Sequence, residues 1–532
     1  MIYQIYPRSF QDTNGDGIGD LNGIRQRLGY VCALGVDAVW ISPFFPSPMA
    51  DFGYDVADYC DVDPRFGTLG DFDALIEEAR SLGLRVILDL VPNHTSDLHP
   101  WFLQSRRSRT DPKRDWYLWR DPAPDGGPPN NWLSNFGGPA WTFDESSGQY
   151  YAHMFLKEQP DLNWRNPEVR AAIYDVMRFW LTRGVDGFRV DVLYHLIKDD
   201  AYRDNPVNPA FVPGGDPAHR FLPVYTTDRP EVQGIVREMR EVLDEFGTPE
   251  STRVLIGELY LSIQRLMGYY GRDSSGVLRG AQLPFNFHLI GADWQAQAID
   301  RLVREYEGAL PAGAAPNWVL GNHDKPRIAS RVGAGGARLA AMLLLTLRGT
   351  PTLYYGDELG MTDVPIPPAE VQDPFERNEP GRGLGRDPQR TPMPWQGDAP
   401  HAGFSTARPW LRLGDDAAGG AVDLQQQDPQ SMLSLYRQLL ALRRRTEALN
   451  DGAWTSLGTQ GDVLIYARGV SPGRFVVLLN FGSSVSSVDL AALLEPGMCV
   501  WISTLLDRQG EVMAASATKL RPEEGLLLGP AP

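Results

Sequence analysis

Short apolar runs recur along the chain, and between most of them lie stretches whose apolar residues return every three or four positions. The runs are IYQIYPRSF (2–10), VDAVWIS (36–42), RVILDLVPNH (85–94), VDGFRVDV (185–192), RVLIGEL (253–259), QLPFNF (282–287), NWVLGNHD (317–324) and TPTLYYGDE (350–358). Helical periodicity fills the gaps, as in 71–84 and 167–184. Alternating strands and helices predict a parallel sheet, and eight such strands are the number that closes a (β/α)8 TIM barrel, an α/β fold. In the fourth run Phe188, Val190 and Val192 alternate on one side, with Arg189 and Asp191 on the other. If that second side faces the barrel interior, a cation and an anion are buried together.

Nearly every run ends in polar residues at its C-terminal side: Asp89 to His94, Arg189 and Asp191, Glu258, His323 and Asp324. Side chains at that end of a barrel build its active site. The chain between the third and fourth runs is too long for one helix, so 95–164, rich in aromatics and in Pro and Gly, is expected to be a small domain inserted over the barrel mouth. The barrel itself takes 1–94 and 165–449, with a long loop at 199–230 and a closing helix at 431–449. Alternating short runs over 450–532 predict a C-terminal antiparallel β-sandwich.

The 532 residues carry a net charge of -17, with a pI near 5.0. Such a surface repels nucleic acid and anionic membranes and favours a neutral or cationic ligand. No apolar run reaches the roughly 18 residues of a membrane span. The N-terminus lacks the features of a signal peptide. Three scattered cysteines, Cys32, Cys60 and Cys499, form neither a disulfide framework nor a zinc motif and suit a reducing cytoplasm.

Three acids ending three barrel runs, Asp191, Glu258 and Asp324, with Arg189, His94 and His323 around them, suggest chemistry rather than packing. Arg189 beside Asp191 is expected to keep that acid ionised, and the less supported Glu258 to hold a proton. One carboxylate and one carboxylic acid are what glycoside cleavage needs. Tyr54, Phe136 and Phe155 are candidates to pack on a sugar ring. Separately, 12-DTNGDGIGDL-21 places oxygens at alternate positions, on Asp12, Asn14, Asp16, the Ile18 carbonyl and Asp20. Either a polar turn or a calcium loop has this pattern. An EF-hand is excluded, because its twelfth position is Gly23.

The motifs AVWISPFFPSPMADFGYDVADY, DLVPNHTS, QPDLNW, GFRVDV, GELY, GNHDKPR and TPMPW occur in this order. In them the chain resembles the α-amylase superfamily of retaining glycoside hydrolases, nearest the oligo-1,6-glucosidase and α-glucosidase branch. The resemblance implies Asp191 as nucleophile, Glu258 as general acid/base and Asp324 as transition-state stabiliser. It places His94, Arg189 and His323 around the first sugar, and Gln159 and Phe155 along the same subsite. Asp51 and Arg386 match the pair that holds the non-reducing-end glucose, which implies an exo-acting enzyme on short malto- or isomalto-oligosaccharides. It also implies a structural Ca2+, with Mg2+ as the alternative, on Asp12, Asn14, Asp16, Ile18 and Asp20. Val192, following the nucleophile, leans towards α-1,6 bonds. Relatives have residues before IYQIYPRSF, so a loosened barrel closure near Met1 is expected. A trehalose-synthase-like isomerase or glucosyl transferase is the competing enzyme, and a non-catalytic transporter-associated subunit of the same fold the competing non-enzyme. A monomer or homodimer is expected.

Overall fold

The computed structural model describes residues 1–213, 217–248, 251–491, 493–513 and 516–531. Eight parallel strands close a barrel: β1 (Ile2–Ile5), β2 (Ala38–Ile41), β3 (Arg85–Leu90), β4 (Gly187–Val190), β5 (Val254–Gly257), β6 (Leu283–Asn286), β7 (Asn317–Val319) and β8 (Thr350–Tyr354). Each pairs with its neighbour in sequence, and β8 returns to β1. The strands are shorter than the apolar runs because the polar ends of the runs leave the ladder as loops. β7 stops at Val319, so Asp324 is reached by a five-residue excursion rather than from the strand itself.

Side chains alternate across these strands, as pleating requires. Ile2, Trp40, Ile87, Ile256, Phe285 and Val319 fill the interior. Tyr3, Val39, Leu88, Phe188 and Val190 face outward into the larger core beneath the helices. Arg189 has the inward parity of β4, and its register partner on β3 is Asp89. At Gly187 a Cβ would run into the Val254 carbonyl, so only glycine lets β4 and β5 approach this closely there.

Two expectations fail in this region. Val192 does not continue the strand: it turns left-handed at φ 37° and ψ 44°, a conformation that costs a β-branched residue energy. Closure at β1 is not loosened either. Ile2 is in register with Ala38 on one side and Thr352 on the other. The Met1 carbonyl accepts from the Asp37 and Ala38 amides, and its amino group meets the Asp37 carboxylate at 2.7 Å.

The outer helices include α1 (Leu21–Leu34), α2 (Leu69–Ser81), α3 (Pro167–Thr182), α4 (Val232–Asp244), α5 (Ala296–Ala309), α6 (Ile328–Thr346) and α7 (Met432–Arg445). Local signals set their starts: the Thr68–Asp71 capping box opens α2, and Asn166 followed by Pro167 opens α3. Although Arg331 and Arg338 interrupt its apolar residues, α6 is by length and mean composition apolar enough to cross a membrane. Here it is a core helix, packed against α7 and the C-terminal sheet. Its last carbonyls meet two buried arginines. Arg443 donates to Leu345, Leu347 and Gly349, and Arg468 to Thr346.

Within 95–164 a three-stranded antiparallel sheet (Trp119–Arg120, Gln149–Ala152, Trp141–Asp144) has its own small core of Trp132, Trp141 and Met154. After α7, five antiparallel strands and a two-stranded ribbon follow. Ile465, Leu478 and Leu526 of the large sheet pack with Val488 and Leu520 of the ribbon. The opposite face, with Tyr466, Val477 and Leu527, joins the main core.

Candidate active site

Arg189 is fully buried and serves three acids. Its Nη1 reaches Asp89 at 2.7 Å and Asp191 at 2.8 Å, and its Nη2 reaches Glu258 at 2.7 Å. The guanidinium lies over the Trp40 ring, 4.9 Å from its centroid. Glu258 Oε2 also accepts the Val192 amide at 2.9 Å. The left-handed turn at Val192 therefore aims one peptide N–H from beside Asp191 at Glu258. Glu258 is better supported than expected.

The electrostatics correct the simple picture of an arginine that holds Asp191 charged. Three carboxylates facing one cation leave an excess of negative charge in a buried site. Burial raises Asp191 well above the usual carboxylate range; Arg189 opposes this, while Glu258 and Asp89 reinforce it. Burial likewise lifts Asp89 to about 6, against the pull of Arg189. Glu258 Oε2 accepts from both Arg189 and the Val192 amide.

Asp324 is governed differently. Its side chain is 24% exposed and is met by Arg390 at 2.9 Å, Arg386 at 3.3 Å and His323 at 3.3 Å. Burial alone would raise it, but His323, Arg386 and Arg390 together hold it well below the ordinary value. Arg386 is no surface residue: it is buried, meets Asp51 at 2.6 Å and spans the Phe136 ring at 4.9 Å.

Two functional neighbours escaped the sequence reading. Asp373 holds Arg386 through its backbone amide, Nε and Nη2, at 2.8, 3.0 and 2.6 Å. Arg390 ties Asp324 to the His323 carbonyl, which it meets at 2.8 Å. Arg390 had a faint signal, since it flanks the same DPQ turn as Arg386; Asp373 had none, lying in a proline-rich loop without periodicity. Asp373→Ala should free Arg386 and raise KM for short glucosides about tenfold or more, with a smaller change in kcat. Steady-state kinetics at matched folding, checked by circular dichroism, measures this; an unchanged KM would leave Asp373 no part in positioning Arg386.

The remaining candidates converge. Tyr54 Oη bonds Asp89 at 3.1 Å and His323 Nε2 at 2.7 Å, and Gln4 Nε2 meets His323 Nδ1 at 2.8 Å. With Gln4 donating to Nδ1, the imidazole proton sits on Nε2, facing Tyr54 and Asp324. His94 is buried and pushed down to about 3, first by burial and then by Lys198, so it is neutral. Gln159 Nε2 bridges Asp51 at 3.3 Å and His94 at 3.1 Å. The Phe155 ring packs 5.2 Å from His94 and 6.0 Å from Phe136. All the sugar-site candidates therefore belong to one connected group.

The 12–20 loop stands apart from it. Asp12 accepts the amides of Asn14, Gly15 and Gly17 and the Ser405 hydroxyl, and Asp16 accepts the Ile18 amide. Asp20 accepts from Thr13 and caps α1 through Gly23. All five donors predicted are oxygens, which suits a hard cation. However, Asp20 is turned to Thr13, and among the described residues no three acid, His or Cys side chains gather at metal-binding spacing.

Carboxyl groups gathered at the C-terminal mouth of an eight-stranded barrel are the kind of arrangement that glycoside cleavage uses. The family model for the alpha amylase catalytic domain matches residues 4–452, and the chain belongs to that family. A probable alpha-glucosidase of Rhizobium meliloti (strain 1021) is 45% identical over 510 residues, spanning 93% of this chain and 91% of that protein. The crystal structure of an alpha-glucosyl transfer enzyme, XgtA, superposes with a TM-score of 0.90 at 40% identity, over 100% of this chain and 98% of that one. The trehalulose synthase MutB from Pseudomonas mesoacidophila MX-45 follows at 0.88 and 32%, over 99% and 98%.

Proposed function

We propose that this glycoside hydrolase is an exo-acting α-glucosidase that cleaves non-reducing-end α-glucosidic bonds of short malto- and isomalto-oligosaccharides with retention. The observation that carries the reading is the Asp51–Arg386 contact, buried, pinned by Asp373 and set beside Asp324, where it would close the far side of a glucose subsite. A pocket closed behind one glucose admits chain ends only. In the first step an Asp191 oxygen attacks C1 as Glu258 gives its proton to the glycosidic oxygen; the C1–O bond breaks and the aglycone leaves as an alcohol. In the second, Glu258 takes a proton from water, whose oxygen attacks C1 and releases Asp191. Asp324, kept ionised by its arginines, accepts from sugar hydroxyls and offsets positive charge at C1.

Proton NMR on an equal mixture of maltose and isomaltose tests this. Faster loss of isomaltose, with α-glucose appearing first, is expected from Val192. Faster loss of maltose moves the preference to α-1,4 bonds, and β-glucose first rules out retention. Glucosyl transfer is the second reading, favoured by the likeness to XgtA; new disaccharides in the same spectra would establish it. Loss of neither sugar would remove the glucosidase.

The reading includes a structural Ca2+, or Mg2+, held by Asp12, Asn14, Asp16, the Ile18 carbonyl and Asp20, far from the sugar. Chelation with EDTA should lower Tm and Ca2+ should restore it; a Tm indifferent to both would remove the metal. Three unpaired thiols support a reducing, cytoplasmic setting.

A further inference from the structure

Gln4 sits on β1 with the inward parity of Ile2 and is fully buried. Both of its amide hydrogens are used: Nε2 meets His323 Nδ1 at 2.8 Å and Ser42 Oγ at 3.2 Å. Oε1 has no partner among the described residues. The flipped amide would bury two unpaired donors in place of that one unpaired acceptor.

His323 is held well below its usual value by burial, which outweighs the upward pull of Asp324 and is joined by Arg390, Arg189 and Arg386. The ring is therefore neutral, with one nitrogen donating and the other accepting. Because Gln4 donates at Nδ1, the proton lies on Nε2, where it faces Tyr54 Oη at 2.7 Å and the Asp324 carboxylate at 3.3 Å. Tyr54, accepting from His323, has its own hydrogen left for Asp89 Oδ2 at 3.1 Å. Asp89 also accepts Trp40 Nε1 at 3.1 Å and turns its other oxygen to Arg189 at 2.7 Å. The chain from Gln4 through His323 and Tyr54 to Asp89 thus donates one way, and it ends on the guanidinium that holds Asp191. In the opposite tautomer Tyr54 would spend its hydrogen on His323, and Asp89 would lose a donor. A bare Nε2 would then turn its lone pair towards Asp324.

We propose that Gln4 is a positioning residue for the reaction: its amide fixes the His323 proton on Nε2 and so directs this chain of hydrogen bonds towards Asp89 and Arg189. Gln4 acts through His323 and is itself shut off from solvent. Its effect on turnover rests on the glucosidase reading; the tautomer does not.

The tautomer is read first, without substrate. In full-length protein labelled with 15N-histidine, the His323 signals, assigned by their loss in His323→Gln, should show a bare Nδ1 and a protonated Nε2. A protonated Nδ1 overturns the proposal.

Kinetics on maltose and isomaltose follow. Gln4→Met, similar in shape but unable to donate, should lower kcat/KM about tenfold or more at every pH, mainly through kcat. Gln4→Glu should be comparably impaired at pH 7.5, where the introduced carboxylate only accepts. At pH 5.5 the protonated carboxyl can donate to Nδ1 again, so the ratio to wild type should recover several-fold. Around the ring that this carboxyl meets stand Tyr6, Tyr54 and Asp324, with Arg189, Arg386 and Arg390. A ratio equal at both pH values, or Gln4→Met within about twofold of wild type, overturns the positioning role. A wild type that cleaves neither sugar overturns the glucosidase reading and that role with it, and the histidine spectrum tells this failure apart from a wrong tautomer.

Discussion

Asp191→Asn is expected to lower kcat on maltose and isomaltose at least about a thousandfold while the protein folds normally. The side chain keeps its shape and an oxygen for the 2.8 Å contact with Arg189, but an amide cannot attack C1. One negative charge also leaves a crowded cluster, so stability should not fall. The wild type carries the matching pH signature. Because burial holds Asp191 well above the ordinary carboxylate range, lowering the pH through that raised value protonates the nucleophile. Activity should therefore fall on the acid side earlier than for an exposed aspartate, seen as an acid limb in kcat/KM. Residual turnover above about a hundredth of wild type would remove the nucleophile assignment.

Arg189→Leu is expected to destabilise the fold by about 3–5 kcal/mol. Its guanidinium is the cation that Asp89, Asp191 and Glu258 share. Without it, the three buried carboxyls keep their desolvation and lose their partner. They then favour the protonated form more strongly, so the variant should lose more stability as pH rises, because each added ionisation is resisted by burial. Urea unfolding at pH 5.5 and 7.5 measures both effects. A variant as stable as wild type at both values would show that the cluster is balanced by something other than Arg189. Arg189→Lys should recover only part of the loss, since an ammonium cannot span three carboxylates as a planar guanidinium does.

The barrel was legible because its strands are continuous apolar runs and its helices keep their period, both of which are local properties. Positions two residues apart on a strand share a face, so Arg189 and Asp191 were correctly placed inside. The same rule failed one residue further on, at Val192, because leaving the strand is decided by the Glu258 carboxylate waiting 66 positions away in sequence. Asp373 was invisible for a related reason: its importance comes from Arg386, 13 residues downstream, folding back onto it. The upward push on Asp191 was missed because one neighbour, Arg189, was visible in sequence, while burial and two further acids were not. α6 has the length and composition of a membrane span, yet its apolar surface is a property of where it is buried.

That last helix gives the C-terminal sheet a further consequence. Arg443 and Arg468 close the carbonyl end of α6, and the sheet covers one side of it with Val477 and Leu527. A chain cut after α7 would keep every residue of the sugar site yet lay bare a helix apolar enough to pass for a bilayer segment. Such a fragment would be a chaperone client or an aggregate before it was an enzyme. The sheet is in this sense the barrel's solubility coat, and shortening the gene from its 3′ end would cost yield long before it cost chemistry.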